Sequence, residues 1–207
     1  MKGNNTLVYH LLAVFVVAIW GGTLVNTKVL VHAGMSALEI FYARYILAYV
    51  AMLLFAHKKM LADSWRDELM MVLLGITGAS LYFVSENVAI SMTYVNNVSF
   101  IVSASPIFTM IFCILFIKGM RMTSQFAIGT LMAIAGVAIV IFNGQGELHL
   151  NPKGDLVAVM TSASFGLYSF LLKPISERYD AATITRKVFG YGLLTGLPLF
   201  LIWPWKF

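Results

Sequence analysis

Four charged side chains fall inside or beside long apolar runs: Lys28, Glu39, Arg44 and Glu86. Near them in the sequence are Trp20, Gly22, Thr23, Asn26 and Thr27, then Tyr82, Asn96, Ser99, Ser103 and Pro106. These groups hydrogen-bond, carry charge or bend a helix; they do not make a nucleophile–base pair. The Gly78-Ala79-Ser80 sequence lacks the following glycine of a nucleophile elbow. The histidines (His10, His32, His57, His149) sit near the edges of apolar runs, and Cys113 is the single cysteine, so no metal site and no cofactor are expected. No phosphate-cradling G-x-x-x-x-G-K-[ST] stretch occurs either. The chemistry that remains is reversible recognition, with no catalytic residue.

Spacing sorts these residues onto helix faces. Trp20, Thr23 and Thr27 follow a +3, +4 pattern, and Asn26 lies one turn from Gly22. Gly75, Ala79, Tyr82 and Glu86 form a second stripe, and Asn96, Ser99, Ser103 and Pro106 a third. Two accounts fit such stripes. They line a solvated cavity, the paired glycines giving a bendable half-helix, or they form a polar packing seam with glycines at close contacts and threonines bonded to their own backbone.

The charges need individual explanations, because an ionised group at mid-bilayer costs roughly 2.5–3.5 kcal/mol on insertion scales. Glu39 closes a capping box with Ser36. Lys28 is close enough to a helix end to snorkel to the headgroups. Arg44 lies eight residues past Ser36, roughly 12 Å along a helix, too deep for that. The expectation is that Arg44 and Glu86, joined by Lys28, pair near the mouth of the cavity.

The elements that carry these residues belong in a membrane. The 207 residues are 60% hydrophobic and 11% charged, against about 45–50% and about 25% for a soluble domain. Crossing a bilayer core takes about 20 apolar residues. Seven segments qualify, near 8–32, 36–56, 66–90, 94–117, 123–142, 154–174 and 184–203, so the predicted fold is an all-α polytopic membrane protein of about seven helices. Ser64 and Asp67 suggest a second capping box. Ala18-Ile19-Trp20 is not a small-x-small cleavage site, so the first span is read as retained. Net charge is +5, but the basic residues are scattered between spans, which argues against nucleic acid. Ten of the fourteen (Lys2, Lys58, Lys59, Arg66, Lys118, Arg121, Lys173, Arg178, Arg186, Lys187) fall on one side, predicting a cytoplasmic N-terminus in the inner membrane. Gly129, Ala133 and Gly136 form a small-residue face suited to close helix packing or to a homodimer.

A shift of 145 residues superimposes the first and sixth spans. Leu11, Ala13, Val14, Ala18, Gly21 and Lys28 fall on Leu156, Ala158, Val159, Ala163, Gly166 and Lys173, and Trp20 falls on Phe165. Five intervening spans make the second copy run the opposite way, the pattern of inverted repeats in secondary transporters. Trp-Gly-Gly with Lys28, Arg44 in F-Y-A-R-Y-I-L-A, the run E-N-V-A-I-S-M-T-Y-V-N-N-V-S-F-I-V-S-A-S-P-I-F-T and the restart G-D-L-V-A-V-M-T-S-A-S-F-G-L-Y-S together resemble the EamA-type drug/metabolite transporters. The resemblance implies two five-helix repeats, here a complete first repeat over 1–145 and the first two helices of a second over 154–207. It also implies a substrate cavity between the first, third, fourth and sixth spans, with Tyr168 added from the sixth. The expected function is secondary transport of a small metabolite or drug by alternating access. The alternative is a truncated, transport-inactive membrane fragment, or an interaction subunit that needs a partner.

Overall fold

The computed structural model describes residues 3–55, 60–143, 151–202 and 205. Lys2, His57, Lys58, Lys59, His149 and Lys206, used in the histidine and charge readings, lie outside them. Helices α1 (Gly3–His32) and α2 (Ala37–Phe55) are joined by a short turn with Gly34 at φ 99°. The third crossing, Trp65–Met92, consists of α3 (Trp65–Gly75), a π turn (Ile76–Ser80) and α4 (Leu81–Met92). The fourth, Val95–Phe116, is broken at Ala104 into α5 (Val95–Ser103) and α6 (Ser105–Phe116). Pro106 sits in the first turn of α6, where a missing N–H is harmless, so the expected interior kink takes the form of a helix restart. Then follow α7 (Ser124–Asn143), α8 (Pro152–Ser176) and α9 (Ala181–Gly196).

Among the described residues, five of the seven expected spans are long and apolar enough to cross a membrane. In α7 the apolar stretch is the shorter Ser124–Ile139. The seventh differs more. Its helix ends at Gly196 and gives way to a 3-10 turn, Leu197–Leu201, where Pro198 supplies no N–H. Arg186 and Lys187, expected between spans, lie within α9 and are buried.

The molecule is apolar outside, and its interior combines an apolar core with many polar groups. Leu11, Val14, Leu47, Leu54, Leu131 and Met132 are exposed, while Thr77, Ser85, Glu86, Asn87, Asn97, Thr161, Ser162 and Ser164 are buried. A water-soluble bundle has the reverse arrangement, whereas lipid rewards this one. This is a polytopic helical membrane protein.

Local chemistry fixes the helix ends. The Ser36 box forms fully: Ser36 N–H donates to Glu39 Oε2 at 2.7 Å and Glu39 N–H to Ser36 Oγ at 3.2 Å. The Ser64 box forms by half. Ser64 Oγ accepts from Asp67 N–H at 3.1 Å, but the Asp67 carboxylate pairs with Arg178 at 2.6 Å and accepts from the Tyr179 hydroxyl. Asp180 caps α9 by accepting from Thr183 N–H at 2.9 Å and from its hydroxyl, and these bonds hold its carboxyl below the usual range.

Two polar clusters mark the two ends of the bundle. At one end Lys28, Thr93, Asn97, Asn151 and Asp155 tie α1, the α4–α5 turn and the start of α8 together. At the other, the α2–α3 connection docks on α8 and α9. There Lys187 pairs with Glu68 at 2.5 Å and donates to Met60 O, while Tyr179 Oη accepts from Asp63 N–H. Paired in this way, the Lys187 charge tolerates burial.

Candidate solute cavity

α8 is held against α4 and α6 by hydroxyls. Thr161 donates to Ser85 at 2.8 Å, Ser164 to the Thr77 carbonyl at 2.7 Å, and Ser162 lies 3.2 Å from Ser105. The π turn contributes here, since its wider winding changes which carbonyls are bonded within the helix. Gly166 allows α6 to approach: a Cβ there would lie 2.5 Å from Phe108 Cβ and 2.8 Å from Thr109 N. These contacts leave α1 standing off from the rest, and a hollow of about 370 Å³ remains between them.

Trp20, Gly21 and Leu24 of α1 form one wall, and Tyr82 and Glu86 of α4 a second. Ser99, Val102 and Ser103 of α5, with Pro106 of α6, form a third, and Phe165 of α8 closes the side. Phe165 links the aromatic residues, with its ring centroid 6.0 Å from Trp20 and 5.1 Å from Tyr82. The Tyr82 hydroxyl donates to Glu86 Oε1 at 2.9 Å. A second hollow of about 260 Å³ shares Ser105, Pro106 and Phe165 with the first and leads towards Cys113 and Phe126. The second hollow thus continues the first along α6 and α8, away from the Lys28 cluster.

Of the residues singled out by sequence, Trp20, Tyr82, Glu86, Ser99, Ser103 and Pro106 line this hollow. Gly22, Asn26 and Asn96 do not line it and are exposed. The inward asparagine is Asn97, one turn after Thr93, to whose Oγ1 it donates at 3.4 Å. Thr23 and Thr27 donate to their own helix, to Trp20 O and Thr23 O. Tyr168 packs instead into the apolar core, against Gly78 of the π turn. At the glycine pair α1 is unbroken and nothing lies within 4 Å of a Cβ at either position, so the close-packing account does not describe it, whereas Gly21 does line the hollow.

The expected ion pairing of Lys28, Arg44 and Glu86 is replaced by three separate arrangements. Lys28 Nζ donates to Ile90 O at 2.7 Å and Thr93 O at 3.0 Å, capping the negative end of α4 and so needing no headgroup. Arg44 donates to Thr23 O at 3.2 Å, and its charge reaches Glu86 without a direct bond. Tyr82, one turn before Glu86, takes the carboxylate first.

The sequence reading also missed Phe165, Leu24 and Val102 as lining residues, and Asp155 as the hub of the far cluster. Phe165 had a signal, its match to Trp20 under the 145-residue shift. Asp155 had only its place in the first turn of α8.

Comparison with known proteins agrees with this architecture. Residues 7–142 match the model of the EamA-like transporter family. An uncharacterized transporter of Archaeoglobus fulgidus is 23% identical over 200 residues, covering 93% of this chain and 67% of that protein. A second from the same organism is 25% identical over 142 residues, 68% of this chain and 48% of its own. A probable terminal-alkyne amino-acid exporter of Streptantibioticus cattleyicolor is 28% identical over 134 residues, 65% of this chain and 44% of the exporter. The match thus spans about two thirds of the first relative and under half of the other two. No solved structure matches the chain. With the family model covering most of an all-helical, lipid-suited bundle, the chain belongs to the EamA-like transporter family.

Proposed function

We propose that the protein carries a small organic solute across the inner membrane by alternating access to the hollow between α1, α4, α5, α6 and α8. The observation that supports this best is the pairing of a roughly 370 Å³ cavity with a polar cluster closing one end and a second hollow continuing towards the other. Transporters are built to present such a site to one side at a time. The family and the transporter names of the relatives support the same reading.

A second feature supports the inverted repeat that alternating access uses. Trp20 and Phe165, equivalent under the 145-residue shift, are in ring contact at 6.0 Å. Residues related by a pseudo-two-fold axis meet each other only when they lie beside it, so the axis would pass through the cavity wall. Arg66, Lys118, Arg121, Lys173, Arg178, Arg186 and Lys187 belong to the Cys113 end, and Lys28 and Lys153 to the other. That bias supports a cytoplasmic Cys113 end and a cytoplasmic N-terminus.

Thiol accessibility tests the reading. In a Cys113→Ser background, Ser103→Cys is expected to react with membrane-impermeant reagents from the cytoplasmic side. If it reacts from neither compartment, the hollow is a sealed seam and the transport reading is abandoned.

A further inference from the structure

We infer that the cavity's occupant is an amine: a small organic cation with an apolar body, held by Glu86 and by the rings of Trp20, Tyr82 and Phe165. This deepens the proposed function and rests on the hollow being a solute site. The lining carries one carboxylate and no cationic side chain. Glu86 is 2% exposed, its Oε1 is taken by Tyr82, and Oε2 has no hydrogen-bond partner among the described residues. Arg44, the nearest candidate counter-ion, is directed to Thr23 O and does not line the hollow.

The remaining polar atoms favour the same class. Ser99 donates to Val95 O, Ser103 to Phe100 O and Ser105 to Val102 O. Each hydroxyl has one proton and has spent it on a carbonyl of α5, so what it offers the cavity is lone pairs. Apart from the Trp20 indole N–H, the lining therefore presents acceptors. An ammonium supplies donors and a positive charge, and both the buried carboxylate and the aromatic faces attract it. An α-amino acid would bring a second group, its carboxylate, against walls with almost no donor, and a buried unpaired charge is costly. A neutral solute leaves Glu86 with only the Tyr82 hydroxyl and the unbonded Arg44 charge. Val17, Leu24, Val98 and Val102 accommodate the apolar body.

Equilibrium binding to the full chain in detergent tests this with probes that share one apolar body: phenethylamine, 2-phenylethanol, phenylalanine and phenylacetate. Phenethylamine is expected to bind about tenfold or more tighter than each of the others, the worth of one charge-assisted hydrogen bond. Glu86→Gln is expected to remove that preference, and Glu86→Asp to keep it. Phenylalanine or phenylacetate binding as tightly as the amine overturns the inference, as does a Glu86→Gln protein that still prefers the amine. The probe series on the unaltered chain decides the matter even where a variant fails to fold. Flux in vesicles separates the two readings: amine binding without flux of any probe leaves the amine site standing and removes transport. Flux of phenylalanine without phenethylamine removes the amine site and leaves transport.

Discussion

The Lys28 ammonium ends on two main-chain oxygens, Ile90 O and Thr93 O, where α4 runs out of helical partners. The last carbonyls of a helix lack N–H donors and carry the negative end of its dipole, so one cation serves both needs. Lys28→Met keeps the stem and removes the donors. It is expected to destabilise the folded chain by about 2 kcal/mol, within the range for hydrogen bonds to a charged group, and Lys28→Arg to recover most of that. Thermal unfolding in detergent reads the difference. A Lys28→Met midpoint equal to that of the unaltered chain would mean that water serves those carbonyls equally well. The sequence alone could place Lys28 near a helix end but not find its partner. Snorkelling and capping both require a long cationic side chain there, and the sequence does not say which neighbour's carbonyls come within reach.

At the level of helices, the sequence was most legible where the signal is local. Span positions follow from apolar run length, and the Ser36–Glu39 box follows from two residues three apart. The stripes on α4 and α5 were readable because a helix face is a matter of spacing, which is how Tyr82, Glu86, Ser99 and Ser103 could be named. Rotation of a helix about its own axis was not readable. Asn96 and Asn97 are adjacent and chemically identical, and only the packing of α5 against α8 turns Asn97 inward. Glycines divide the same way. Gly166 sits where α6 presses on α8, so Gly166→Ala puts a methyl against Phe108 Cβ and the Thr109 amide, neither of which can rotate aside. A loss of about 1–3 kcal/mol is expected, as for overpacking in a core. Gly21 has nothing within 4 Å, so Gly21→Ala is expected to be neutral or to stabilise by up to about 1 kcal/mol through helix propensity. Unfolding of the two variants side by side checks the pair, and the contrast fails if both lose stability equally.

For the whole molecule, the cluster around Asp155 is the part that alternating access would have to break. Asp155 Oδ1 accepts from Thr93 Oγ1 at 3.0 Å and Asn97 Nδ2 at 3.3 Å, and its Oδ2 accepts from Asn151 N–H at 3.0 Å. The first two bonds tie the start of α8 to Thr93 and to the first turn of α5, and under alternating access they would hold that end of the bundle shut; the third lies within the start of α8. Opening there would lose the inter-helix bonds, whereas opening at the Cys113 end would leave them intact, so under alternating access they would bias the equilibrium towards the arrangement seen here. If the two together favour this state by about 2–3 kcal/mol, their removal shifts the population ratio roughly 30- to 150-fold towards the opposite opening. Cys113 reports on that shift because it lines the second hollow, at the end that would close. Asp155→Ala is therefore expected to slow labelling of Cys113 by impermeant thiol reagents and to speed labelling of a cysteine placed at Ser99 in a Cys113→Ser background. If Cys113 labels at an unchanged rate in Asp155→Ala while the protein stays folded, the cluster is only a helix joint, and the closing contact must be sought elsewhere between α1 and α5.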